Sequence, residues 1–262
     1  MGVVNVTPDS FSDGGRFNVP SEAIDHGLRM LDDGADLLDI GGESTRPGAE
    51  PVSVEDEIAR VRPVIEGLVK ARPDAVVSID TQKAEVARVA IDAGARVVND
   101  VSAGRDPDML PLVAQTEVRY VLMHMRGVPK TMQRDTTYTD LISEIASALA
   151  AAAGRALAAG VLQERIVVDP GVGFGKAPGD NPRLIAATPR FKQLGYPVLV
   201  GASRKSFVGR LTGQSDASKR VAGSVGAALA AADAGADLLR VHDVRETRDA
   251  LTVFVACKSA MS

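Results

Sequence analysis

The 262 residues are 45% hydrophobic and 24% charged, an ordinary globular composition with enough chain for one large domain and a sizeable core. Net charge is −4 with both signs mixed, and aromatic residues make up 3%, so no basic stripe or stacking platform argues for a nucleic-acid partner. One cysteine excludes an internal disulfide and fits a reducing, cytoplasmic setting, and no apolar run reaches the ~18 residues of a membrane span.

In chain order, Gly2 to Val6 reads as a strand with Asn5 near its end, and no signal peptide precedes it. Met1 runs straight into that strand, which hints at a trimmed start. Pro8 to Asn18 is rich in Ser, Asp and Gly and reads as a loop. Ser21 to Asp33 carries Ile24, Leu28 and Leu31 at helical spacing. A small repeat follows. Gly34 to Asp39, Gly94 to Asn99 and Gly235 to Arg240 each run glycine, alanine, a charged residue, an apolar pair and a polar residue. Each glycine suits a helix end, each apolar pair a buried parallel strand, and the recurrence argues for a β/α unit.

The remaining units fill in between. Ser53 to Ala71 is a helix opened by a Ser-Val-Glu-Asp cap. Ala75 to Asp80 is a strand, Lys83 to Ala93 a helix, Asp108 to Gln115 a short helix and Val118 to His124 a strand. Tyr138 to Ala159 is a long Ala-rich helix. After Ile166 to Asp169 come a helix near Pro182 to Thr188, the strand Pro197 to Gly201 and a helix from about Lys205. A helix from Ser218 to Ala234, a strand from Leu238 to His242 and a helix to about Ala256 complete the chain. Cys257, at the end of that last apolar helix, is expected to pack. Eight strands alternating with helices predict an α/β fold, a single (β/α)8 TIM barrel with a parallel eight-stranded core, as one domain over 1–262. The runner-up is an open doubly wound sheet.

The stretch Ile166-Val-Val-Asp-Pro-Gly-Val-Gly-Phe-Gly-Lys176 concentrates the chemistry. Three β-branched residues make a buried strand, and a carboxylate sits where it ends. Pro170 stops the ladder, and three glycines let the backbone turn closely around whatever Asp169 touches. A buried acid there costs several kcal/mol unless paired, so it either caps its own turn or faces a hydrogen-bonding ligand. Two phosphate-binding patterns fail. A P-loop would need Gly at Pro170 and Ser or Thr at Ala177, and a dinucleotide fingerprint from Gly171 would need Gly at Lys176.

In a barrel the C-terminal strand ends meet at one mouth. That gathers Asn5, Asp80, Asn99, Asp169, Arg240 and His242, with the Ala202–Ser206 turn and the Glu43–Pro47 loop. His124 after Met123 has a duller reading as a satisfied core histidine. Asp80, Asn99, Asp169 and Lys205 suit a flat heterocycle with donors on one edge and a carbonyl on another, such as a pterin. Asn5, Arg46, Arg240 and His242 suit a polyanion, with Mg²⁺ held by few protein groups and the substrate's own phosphates. No structural-metal spacing, nucleophile elbow or reactive cysteine is visible.

These stretches carry a family resemblance. Residues 1–15 and 39–49 resemble the first two signatures of the bacterial dihydropteroate synthases. Ser78-Ile-Asp-Thr, Val98-Asn-Asp-Val-Ser, Val121-Leu-Met-His-Met, the 169–176 loop, Gly201-Ala-Ser-Arg-Lys-Ser and Arg240-Val-His-Asp-Val are similar to the others, in the family's order. The resemblance implies an enzyme joining 6-hydroxymethyl-7,8-dihydropterin diphosphate to 4-aminobenzoate, with release of pyrophosphate. Position by position, it implies Asn5 as the magnesium contact. It implies Asp80, Asn99, Asp169 and Lys205 on the pterin, with Met123 packing near the ring, Thr45 near its pocket and Val101 also binding substrate. Arg46, Arg240 and His242 would bind diphosphate. Phe11, Pro47, Phe174, Lys205 and Ser206 would line the aminobenzoate pocket, where sulfonamides compete in this family, and a sensitive enzyme is expected. Catalysis would rest on Lys205, Asp169, Arg240, His242 and Arg46. The resemblance also implies a homodimer. Two rivals are a pterin-binding methyltransferase domain, which has no use for the 203–206 turn or the Asn5 and Arg46 loops, and a non-catalytic pterin-binding paralogue.

Overall fold

The computed structural model describes residues 1–7, 19–45 and 48–260. Among these residues eight parallel strands run in chain order: β1 (Gly2–Asn5), β2 (Leu37–Gly41), β3 (Val76–Asp80), β4 (Val97–Asp100), β5 (Arg119–Met123), β6 (Ile166–Asp169), β7 (Leu199–Val200) and β8 (Leu238–Leu239). The first six form one continuous sheet and the last two a pair. Single parallel bridges join them, Val168 to Val198 on one side and Gly2 to Val241 on the other, so the ring closes as the alternation predicts. Val3 N–H donates to Val241 O and Val241 N–H to Met1 O, both at 2.9 Å. β7 and β8 are shorter than the sequence suggests because only two residues of each keep the ladder.

Ten helices among the described residues surround this ring: α1 (Val19–Asp32), α2 (Val54–Ala71), α3 (Ala84–Asp92), α4 (Met109–Gln115), α5 (Leu141–Ala158), α6 (Asp180–Ala186), α7 (Thr188–Lys192), α8 (Ser206–Thr212), α9 (Val221–Asp233) and α10 (Val244–Ser259). The predicted cap of α2 is present: Ser53 Oγ accepts from Asp56 N–H at 3.0 Å. The three repeat glycines, Gly34, Gly94 and Gly235, follow α1, α3 and α9 with φ of 96°, 110° and 89°, a region that favours glycine.

Strand parity divides the core in two. Val4, Leu38, Ile40, Val77, Ile79, Val98 and their neighbours face outward, against the helices. Met1, Val97, Val121, Val167 and Leu199 face inward and plug the barrel with Leu37, Val76 and Leu238. Both sides of each strand are therefore apolar, which is why the strands read as unbroken β-branched runs.

Two expectations fail. Cys257 is exposed, because the outer face of α10 is apolar without being covered: Val253 and Val255 are 64% and 57% exposed. And α5 does have the length and apolarity of a membrane span, over Leu141–Ala158. Its alanines raise the hydropathy, while Leu141, Ile145, Leu149 and Ala153 bury one face against the barrel core.

Candidate active site

Register carries the polar side chains to one rim. Asn5 pairs with Gly41, Gly41 with Asp80 and Asp80 with Asn99, so one row crosses β1 to β4. Met123 pairs with Asp169 across β5 and β6. All lie at even spacing from the inward apolar plug and so project into the mouth, and Arg240, just after β8, reaches the same row through Asp39 and Asp80.

Below that row sits a carboxylate the sequence analysis did not single out. Asp39 is fully buried. It accepts from Ser78 Oγ at 2.6 Å, Asn99 Nδ2 at 3.0 Å and Arg240 Nε at 2.6 Å. Arg240 Nη2 donates to Asp80 Oδ2 at 2.7 Å. Asp39, Asn99 and Arg240 are the three polar residues that end the repeat, and here Asp39 accepts from both of the others. Buried charges are tolerated only when paired and hydrogen-bonded, which this arrangement provides. Burial pushes the Asp80 carboxyl up to about 7; Arg240 opposes the rise and Asp39 adds to it. Burial works against the Arg240 charge, but Asp39 and Asp80 outweigh it and raise its pKa further. Among the described residues Asp80 Oδ1 is buried with no hydrogen-bond partner, an acceptor left for a ligand.

On β6, Asp169 Oδ1 accepts from Gly171 N–H at 2.7 Å, so the acid caps its own turn at the rim. Burial raises its pKa, against the Gly171 N–H, Lys205 and Lys176. Gly171, Gly173 and Gly175 have φ of 70°, 84° and 64°. A Cβ on Gly171 would collide with the His124 carbonyl, and one on Gly173 would lie 3.0 Å from Lys205 Cδ. The glycines therefore bring this loop onto two neighbours. Lys176, 2% exposed, lies beneath: its Nζ donates to His124 O at 2.9 Å and sits 2.9 Å from His124 Nδ1. Burial, then Lys176, depresses His124 to about 3 and keeps it neutral. His124, one residue past the end of β5, is thus satisfied by Lys176, as its plain reading has it, though it is only partly buried.

Lys205 Nζ stands 3.9 Å over the Phe174 ring and bears electrostatically on both Asp80 and Asp169. Phe174, Val101 and Met123 share one apolar cluster with Met125 and Met132. Ser203 Oγ lies 3.0 Å from His242 Nδ1 and accepts from His242 N–H at 3.2 Å. Arg204, at φ 58°, is held by Asp243 at 2.5 and 3.1 Å, which fixes that turn. Ser206 opens α8 on the exposed side, and Thr45 is half-buried. Phe11, Arg46 and Pro47 lie outside the described residues.

For magnesium, Asn5 offers an amide oxygen, 3.9 Å from where a Cβ on Gly41 would stand, and Asp80 Oδ2 lies 3.8 Å from that point. Among the described residues no cluster of three His, Cys, Asp or Glu could cage an ion. One hard oxygen near one acid fits an ion carried mainly by phosphate and water.

A parallel barrel whose C-terminal mouth holds paired acids, an amide and two cations around an apolar wall defines a barrel enzyme for a flat polar substrate bearing negative charge. A family profile described as pterin binding enzyme matches residues 1–242. A dihydropteroate synthase of Synechocystis sp. is 48% identical over 245 residues, covering 93% of this chain and 84% of that one. Two solved structures of the Xanthomonas albilineans dihydropteroate synthase are similar, each covering 98% of this chain and 92% of theirs. The one with 4-aminobenzoic acid has 52% identity and a TM-score of 0.93, and the one with 7,8-dihydropteroate 49% and 0.89. The chain belongs to the dihydropteroate synthase family.

Proposed function

We propose that the chain condenses 6-hydroxymethyl-7,8-dihydropterin diphosphate with 4-aminobenzoate, releasing pyrophosphate and 7,8-dihydropteroate. The observation that carries this reading is the inward row of Asp80 and Asn99 with Asp169 across the mouth, cations beside them. Asp80 Oδ1 and the free Asp169 oxygen would accept from the pterin's amino and ring N–H groups, Asn99 would meet its edge, and Val101 and Met123 its face. Lys205, over Phe174, would stand between pterin and aminobenzoate, with Ser206 and Thr45 at the pocket's edges. Phe11 and Pro47 would complete the aminobenzoate pocket, where sulfonamides would compete.

The hard step is breaking the bond to diphosphate. An electron-rich dihydropterin can carry a cation on its exocyclic methylene carbon, so help is needed where negative charge grows. His242, Arg240 through its remaining N–H groups, and Arg46 would supply it. Asn5 would hold Mg²⁺ with the substrate's own phosphate oxygens, and the bound ion would offset their charge. An arylamine is largely unprotonated at neutral pH, so no strong base is required. Asp169 and Asp80 would offset positive charge on the pterin.

Calorimetry with the pterin diphosphate tests the anchor. Asp169→Ala should weaken affinity at least ~30-fold, roughly the 2 kcal/mol of a charge-assisted hydrogen bond. Undiminished affinity removes Asp169 from the site. Wild type should release some pyrophosphate without aminobenzoate; none in single-turnover runs, alongside normal product formation, rules out the dissociative order.

The same reading includes a cytoplasmic homodimer. Its support is an outer apolar groove of about 490 Å³ between α6, α8 and α9, lined by Ile185, Phe207, Leu211 and Ala227. Leu211 is 72% exposed there. Leu211→Glu should shift sedimentation from dimer to monomer; a wild-type monomer ends this part of the proposal.

A further inference from the structure

One cluster of buried charge lies outside the catalytic mouth. Lys83 sits three residues beyond Asp80, where the chain leaves β3 for α3. Its Nζ donates to Glu43 Oε2 at 2.5 Å, Glu57 Oε2 at 2.6 Å and Val52 O at 2.7 Å. Val52 N–H donates to the same Glu43 oxygen at 3.2 Å. Glu43 and Val52 lie near the two ends of the β2–α2 connection, so one ammonium ties the ends of a ten-residue span, 43 to 52.

The backbone before Glu43 is also held. Arg60 Nη1 donates to Gly42 O at 2.8 Å, and a Cβ on Gly42 would come within 3.0 Å of Glu57 Cγ. Glu57 itself is 1% exposed, with Oε1 unpartnered. Two carboxylates and a carbonyl therefore converge on a single cation. Burial works against that cation, yet Glu43 and Glu57 outweigh it and raise the Lys83 pKa. Without Lys83 the two acids would repel, and the neck of the span would lose what joins its ends. The span's outer contact is weaker: Lys130 and Glu50 meet at 2.9 Å but are 54% and 75% exposed.

We propose that Lys83 is a positioning residue for turnover: by closing this neck it holds Ser44 and Thr45 at the mouth, without touching substrate itself. The proposal rests on the reading of Thr45 as a substrate-pocket residue. Its distinguishing consequence is that the β2–α2 side of the site should suffer while the pterin anchor does not, because Asp80, Asn99 and Asp169 have their own partners.

The test uses the full chain with Lys83→Met, Lys83→Arg and Glu43→Gln. Pyrophosphate release gives kcat and KM, calorimetry with 6-hydroxymethylpterin lacking the diphosphate gives anchor affinity, and melting temperature reports folding. Lys83→Met should lower kcat/KM at least ten-fold with anchor affinity within two-fold of wild type, and Lys83→Arg should recover to within three-fold. Glu43→Gln keeps the Glu57 and Val52 bonds, so it folds even where Lys83→Met does not, and should lose three- to ten-fold. Wild-type kcat/KM in a folded Lys83→Met or in Glu43→Gln overturns the proposal. So does a parallel loss of anchor affinity, which would mark a general structural role. A wild-type chain that releases no pyrophosphate would instead overturn the reaction itself.

Discussion

Asp39, Asp80, Asn99 and Arg240, on one side of the mouth, hold one another through directed, charge-assisted bonds, whereas Val101, Met123, Met125, Met132 and Phe174, on the other, touch through dispersion alone. The polar side must be complete to exist. Each carboxylate there is buried at the expense of its hydration, and only a partner in place restores the balance. The apolar side has no such requirement. Methionine is unbranched and adapts to gaps, so that wall can yield to a ring without losing a bond. The pterin-reading groups are thus preorganised, while the surface beside them can adapt.

The sharpest way to break this contrast is Arg240→Met. It leaves Asp39 and Asp80 buried without their cation, and the unfolding free energy should fall by ~3–5 kcal/mol at pH 7.5 in a denaturant titration. A loss under ~1 kcal/mol would mean the acids are not held as charges.

A pH series sharpens the same side. Asp80 titrates near 7 in the fold against an ordinary 3.8, so its ionisation costs stability increasingly between those values and fully above the higher one. Asp80→Asn removes that cost and leaves an oxygen for Arg240. Its melting temperature should exceed that of wild type by a few degrees near pH 8, and the gain should vanish by about pH 4. A pH-independent difference would contradict the assignment. Activity should fall at every pH, because the acceptor for the pterin is gone.

The smallest effect belongs to the apolar wall. Met123→Leu conserves volume and should cost under ~1.5 kcal/mol, with KM for the pterin diphosphate changing about two-fold. A ten-fold change would show this wall to be as exacting as the polar one.

Much of this site was legible in the residues. Asp80, Asn99 and Asp169 were marked by ending β-branched runs, and Gly171, Gly173 and Gly175 by clustering after one of them. Asp39 carried a signal too, as the first repeat's final polar residue, aligned with Asn99 and Arg240. Lys176 and Lys83 carried none. A lysine in a loop or at the start of a helix reads as solvated, and neither the His124 carbonyl beneath one nor the glutamates around the other are near in sequence.

What the amino-acid order determined by itself is what depends on neighbours a few residues apart: the helical and strand periods, the glycines that end helices and tighten the β6 loop, and which side chains share a face of a strand. Which charge meets which was decided only when the ring closed. Arg240 reaches Asp39 across 201 positions because β8 comes to lie beside β1, and no local rule encodes that adjacency. The physical reason is that an ion pair in a low-dielectric interior depends on ångström distances between elements, and those are set by the packing of the whole barrel.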